Sequence, residues 1–254
     1  MVQTVMMPTS NSSRIERAPQ RTPPATRVRG VLAELERRGS KATRDGMARY
    51  GIRAPRAFGV TLGAVQEMAK AEGRDHPLAL ALWDTGWYEA KLLACFVADP
   101  GALTLAQMDR WSRDFDNWAV VDTACMHLFN RCPHAWRKVD EWSRHRREFV
   151  RRAGFALLAS MALHDKTGPH SEYTRRLKLI EEVAGDDRNF VKKAVSWALH
   201  ALGTRSAELN EAAVAVARKL AVSGEPAERW VGNDALGKLT SAATRKRLAK
   251  TARK

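Results

Sequence analysis

The chain has 254 residues, with 43 Lys and Arg against 28 Asp and Glu, so its formal charge is +15; 44% of it is hydrophobic and 7% aromatic. That fraction can bury a core. No uncharged apolar run approaches the roughly 18 residues of a membrane-spanning helix, and no secretory signal is expected from the first 25 residues. The positive excess favours a polyanionic partner, most often nucleic acid and less often an anionic membrane surface.

Residues 1–27 read as a disordered basic N-terminal tail, with Pro8, Pro19, Pro23 and Pro24 among Ser, Thr and Arg and no apolar period. A first helix is predicted from Arg27 to Arg38, ending at Gly39. From Leu62 onward helical periodicity is nearly continuous, giving helices near 62–72, 77–85, 87–98, 104–115, 117–130, 134–144, 147–164, 171–184, 188–202, 206–222, 224–235 and 240–252. Asp116 or Asn117, Asp186 or Asp187, and Ser206 stand where N-caps belong, and Pro77 and Pro226 suit first turns. Gly73, Asp99-Pro100-Gly101, Gly168-Pro169, Gly185 and Gly203 supply the stops. No stretch alternates as a half-buried strand would, so the fold is all-α, with residues 28–254 forming one helical domain. Trp118, Arg152 and Trp197 lie 34 and 45 residues apart in similar helices. Those intervals approach the roughly 40-residue period of HEAT and armadillo pairs, which predicts a curved superhelix of about six antiparallel helix pairs with a basic concave face.

Two helices hold residues set off from their apolar stripes. In the first, the stripe is Val120, Val121, Ala124, Cys125 and Leu128, while Trp118 and Asp122 are i,i+4 neighbours beside it. In the second, the stripe is Val191, Val195, Ala198 and Leu202, while Trp197 shares a side with Lys193. A flanking Trp beside a solvated charge explains either helix alone; an indole beside a charge in both is the pattern of a site. Residues 144–152 hold five arginines, and residues 245–254 hold six Lys and Arg with no acid. Such runs are either solvated faces or a wall contacting phosphates, and the overall charge favours the wall.

Three cysteines, Cys95, Cys125 and Cys132, are too few for a disulfide scaffold and suit a reducing cytoplasm. Cys125 with His127, and Cys132 with His134, are i,i+2 pairs that diverge on a helix, so no metal site is expected. Glycine-rich phosphate loops and nucleophile elbows are absent from the sequence.

These segments resemble the AlkD-type DNA alkylation-repair glycosylases, a family of HEAT-like superhelices. The resemblance rests on Trp118 followed by Asp122, on Phe149-Val150-Arg151-Arg152-Ala153-Gly154, and on Phe190-Val191-Lys192-Lys193-Ala194-Val195-Ser196-Trp197. Tyr50-Gly51-Ile52, Phe58-Gly59-Val60 and Leu82-Trp83 before Glu89-Ala90 support it, and the whole spans about residues 30–250. It implies that Asp122, Trp118 and Trp197 take the catalytic positions and that Arg152 takes the phosphate-binding one. Lys193, Arg147, Arg151 and Lys192 then join the DNA-binding set. Tyr50, Trp83 and Trp87 are candidates for the family's N-terminal DNA-stacking aromatic. The implied activity is excision of cationic alkylated purines from double-stranded DNA, without base flipping, cofactor or metal, by a monomer working in the cytoplasm near the nucleoid. Some relatives of this fold bind DNA without excising bases, and a non-catalytic DNA-structure binder or a protein scaffold are the competing readings. Here Asn117 and Ala119 flank the Trp, where family members often carry a second aromatic or an acid.

Overall fold

The computed structural model describes residues 23–165 and 167–251. Among them are fourteen α-helices, two short 3-10 turns and no strand. The chain begins with α1 (Pro24–Arg38), α2 (Lys41–Met47), α3 (Leu62–Glu72), α4 (His76–Asp84) and α5 (Tyr88–Val97). It continues through α6 (Leu105–Arg113), α7 (Trp118–His127), α8 (Ala135–Trp142), α9 (Glu148–His164) and α10 (His170–Val183). The last four are α11 (Asn189–Gly203), α12 (Ala207–Ala221), α13 (Pro226–Leu239) and α14 (Ala242–Thr251).

These pack as six antiparallel pairs in a two-layer superhelix. Helices α3, α5, α7, α9, α11 and α13 touch in that order and make the inner layer, backed by α1, α4, α6, α8, α10 and α12. Helix α2 is an insertion within the first pair, and α14 caps the last. The inner helices bury their apolar stripes against the outer layer and their flanks against neighbouring inner helices, the arrangement that lets short repeats share one core. Close approach needs small residues at the crossings. A Cβ on Gly154 of α9 would lie 2.4 Å from the Ser143 nitrogen after α8, and one on Gly232 of α13 would lie 2.3 Å from the Ala221 nitrogen of α12.

Caps fix where the site-bearing helices begin. The Asn117 carboxamide oxygen accepts from the Val120 N–H at 3.1 Å, which places Trp118 as the first residue of α7. Ser206 caps α12 in the same way, whereas Asp186 and Asp187 do not cap α11: its N-cap is Arg188, whose N–H donates to Asp186.

Three predicted boundaries shift. The first helix starts at Pro24, inside the predicted tail, because a proline that reads as a breaker also fits a helix's first position. Arg27 is therefore structural, its guanidinium pairing with Glu72 and Asp75. The rest of that tail, residues 1–22, lies outside the described residues. Helix α13 runs past 235 to Leu239: Gly232 and Gly237 weaken its sequence signal, while Leu239 packs against Gly203 of α11. The helix expected over 117–130 ends at His127, where Leu128 leaves helical geometry before a 3-10 turn. Helix α2 answers to no predicted element. It buries no side chain, so no apolar period announces it.

The candidate site on the inner layer

Asp122 and Arg152 form the centre. They are the fifth residues of α7 and α9, adjacent inner helices in parallel register. The Arg152 guanidinium grips the carboxylate with both edges, Nε to Oδ1 at 3.0 Å and Nη2 to Oδ2 at 2.6 Å. Its Nη1 reaches onward to the Phe190 carbonyl of α11 at 2.8 Å. One arginine thus ties three inner helices together beneath the surface, and only 6% of the residue is exposed. Burial pushes the Asp122 carboxyl above its ordinary range, against the opposing pull of the Arg152 charge. The Asp122 side chain keeps 18% of its surface open, so the carboxylate is held from below and reachable from above.

Three further elements lie along the same layer. Trp118 stands one turn before Asp122, half-buried, its Nε1–H donating to the Tyr50 carbonyl at 2.9 Å. Trp197 is half-buried two turns along α11 from Phe190. The segment 41–51, containing α2 and a 3-10 turn at Ala48–Tyr50, reaches over from the first repeat and rests Gly51 against the Phe190 ring. Gly51 has φ of 69°, and a Cβ there would come within 3.4 Å of that ring.

The segment is anchored at its base by Glu89. This buried carboxylate accepts the N–H groups of Phe58, Gly59 and Val60 at 3.0, 2.7 and 3.1 Å. The Gly59 carbonyl in turn accepts from the Ser40 N–H at 3.1 Å, just ahead of α2. Gly59 has φ of 85°, and a Cβ on it would sit 2.2 Å from the Ser40 oxygen. In the sequence Glu89 stands only among the residues that carry the resemblance, with no role of its own; the sign of its anchoring role is an acid inside the strongly apolar helix α5.

Of the three candidates for an N-terminal aromatic, Tyr50 alone is open, at 73% exposure. Trp83 is buried and stacked on Trp111 at 4.0 Å, and Trp87 is stacked on Phe58 at 4.0 Å.

The basic set divides. Arg152 lies beneath the surface in the ion pair, not on the solvent side where a phosphate-contacting residue is expected. Arg151 is committed as well, to Asp186 at 2.7 Å and the His145 carbonyl at 2.8 Å. Arg144 pairs with Glu182 at 2.9 Å. Arg147 is exposed and donates to the Arg113 carbonyl at 2.7 Å, leaving its charge without an acid partner among the described residues. Lys193, the fifth residue of α11, is exposed, and Lys192 lies 5.2 Å from the Trp230 ring centre. Of the expected basic set, Arg147 and Lys193 are therefore exposed, and Lys192 is half-buried against Trp230.

Cys125 and Cys132 are buried, with their thiols directed at the Ala153 and Leu128 carbonyls. Among the described residues, no three His, Cys, Asp or Glu side chains gather as a metal site would require.

A family model of DNA alkylation repair enzymes matches residues 31–239. The chain belongs to that family. Its fold is also that of a solved structure from "a new family of proteins related to the HEAT-like repeat DNA glycosylases with affinity for branched DNA structures". The two share 23% identity over 87% of this chain and 95% of that one, with a TM-score of 0.71. No curated protein matches the sequence. Within this DNA alkylation repair family member, Trp118, Asp122, Arg152 and the α11 face occupy one continuous stretch of the inner layer.

Proposed function

We propose that this protein hydrolyses the N-glycosidic bond of cationic alkylated purines in DNA, of the 3-methyladenine and 7-methylguanine class. The observation that carries the reading is Asp122: a carboxylate fixed by a buried guanidinium, partly open, with the half-buried Trp118 one turn before it on α7. Alkylation leaves the base positively charged, so it departs as a neutral purine without a general acid. Positive charge then moves to the deoxyribose in an oxocarbenium-like transition state. Asp122 stabilises that charge and orients the water that adds to the anomeric carbon, while its bond to the base breaks. Trp118 and Trp197 offer electron-rich faces to the cationic lesion and sugar. Arg152 is a positioning residue that sets the Asp122 rotamer; Arg147, Lys192 and Lys193 engage the backbone phosphates. The chemistry calls for no metal or cofactor, and a monomer suffices.

The test is release of free 3-methyladenine and 7-methylguanine from methylated DNA by the wild type and by Asp122→Asn. Release by the wild type alone supports the reading. A second reading, binding of DNA structures without excision, is favoured by two facts: Arg152 neutralises much of the Asp122 charge, and the solved relative's family has affinity for branched DNA. DNA binding with no base release by the wild type would decide for it.

A further inference from the structure

The protein has eight tryptophans. Five have aromatic partners: Trp83 with Trp111, Trp87 with Phe58, Trp136 with Tyr173 and Trp142 with Phe129. The other three, Trp118, Trp197 and Trp230, stack on no ring among the described residues, and all three stand on the inner layer. The proposed reaction uses the first two. Trp230 is unexplained, and it is the most exposed of the eight, at 36%.

Its position continues the site. Trp230 is the fifth residue of α13, matching Asp122 in α7, Arg152 in α9 and Lys193 in α11. Lys192 sits over its ring at 5.2 Å, and one turn further on Ser196 donates to Asp234, so α11 and α13 run side by side in the same direction. The N-terminal ends of α7, α9 and α11 therefore lie along one edge. That edge carries Trp118, then Phe149 and Phe190 with ring centres 5.4 Å apart, and then Lys192 with Trp230. Arg147 and Arg188 are the N-caps of α9 and α11 on it; Arg188 is held by Asp186, and Arg147 has no acid partner among the described residues. Aligned helix N-termini with the exposed Arg147 and Lys193 beside them attract a phosphate backbone, so a DNA strand lying on this edge passes Trp230.

An indole at that point, with a cation against the ring and part of its surface open, is built to stack. A paired base inside intact duplex presents no face, so the occupant has to be unpaired. We infer that Trp230, backed by Lys192, is a stacking platform for an unpaired nucleobase, and that it makes the protein prefer branched or gapped DNA to continuous duplex. The inference rests on the DNA-binding part of the proposed function and is independent of base excision.

The test compares two fluorescein-labelled DNAs on the full-length protein. One is a continuous duplex; the other has the same sequence with a branch carrying unpaired bases, one of them 2-aminopurine. The wild type should bind the branched DNA more tightly and quench 2-aminopurine emission. Trp230→Ala should weaken branched binding about ten-fold or more, the scale of one base–aromatic stack, and change duplex binding less than about two-fold. Trp230→Phe should keep most of the preference and the quenching. Equal weakening on both DNAs, or none on either, overturns the platform while leaving base release as a separate question. If the wild type binds neither DNA, the DNA-binding reading and the platform fall together.

Discussion

Replacing Asp122 by Asn tests structure and chemistry with one atom. The change keeps volume and removes the negative charge that, in the proposed reaction, faces the sugar. A carboxylate about 4 Å from a developing cation contributes roughly 4 kcal/mol at an effective dielectric near 20. Its loss corresponds to a fall in base release on the order of 10³-fold. Arg152 remains, so the variant also presents an uncompensated cation beneath the reacting sugar. The same guanidinium makes the substitution costly for folding. Arg152 is 6% exposed and depends on Asp122 for two of its three hydrogen bonds. Removing one partner of a buried pair costs about 3–5 kcal/mol, which for a domain of this size lowers the melting temperature by roughly 6–20 °C. The assay is therefore a cycle of Asp122→Asn, Arg152→Met and the double variant, each measured for base release under single-turnover conditions and for thermal stability. The double variant should regain most of the lost stability, because no buried charge is orphaned, and regain little of the excision. An Asp122→Asn protein with unchanged melting temperature would refute the buried ion pair. One with unchanged excision would refute the electrostatic mechanism.

Trp118→Phe keeps a ring but deletes the bond to the Tyr50 carbonyl, worth about 1 kcal/mol. KM should rise about five-fold with kcat within two-fold, whereas a large fall in kcat alone would assign the indole to the chemical step. Gly59→Ala forces a side chain into a left-handed backbone and against Ser40, so stability should fall by at least about 2 kcal/mol in a urea titration; an unchanged midpoint would show that the 58–60 turn is not constrained as described. His127 and His200 have pKa values lowered, first by burial and then by neighbouring cations. The unfolded chain therefore takes up protons first as pH falls below about 6.5, and the stability these groups allow at neutral pH is lost on acidification. His200→Gln should flatten the fall in melting temperature between pH 7.5 and 5.5, and an identical slope would remove His200 from that account. DNA affinity should drop on the order of 10³-fold between 50 and 200 mM salt if about six phosphates are neutralised, while a flat response would dismiss the cationic edge.

The helical array was legible because each inner helix must bury a stripe at the 3.6-residue period, and Asn117, Ser206, Pro77 and Pro226 mark ends that the structure keeps. Trp118 and Asp122 stood out for the complementary reason: they lie beside that stripe at i,i+4 spacing. Arg152 was legible as a residue but not in its placement, since the sequence of α9 says nothing of the carboxylate that faces it from α7. Helix α2 and the Glu89 anchor were hidden for opposite reasons. The first buries nothing and leaves no period. The second is a charge in an apolar helix whose partners, three backbone N–H groups about thirty residues upstream, carry no side-chain signature. Trp230 was passed over because α13, broken by Gly232 and Gly237, offers no clean stripe from which to measure it.

The segment that carries Tyr50 has a kinetic consequence. Helix α2 and the turn after it bury no side chain, so almost no apolar area opposes their detachment. Hydrogen exchange of the amides in 41–50 should proceed through local openings far cheaper than global unfolding, while the amides of α9 and α11 wait for the whole array to open. The segment beside the site is thus its least stable part, set apart from the rigidity of the layer that holds Asp122.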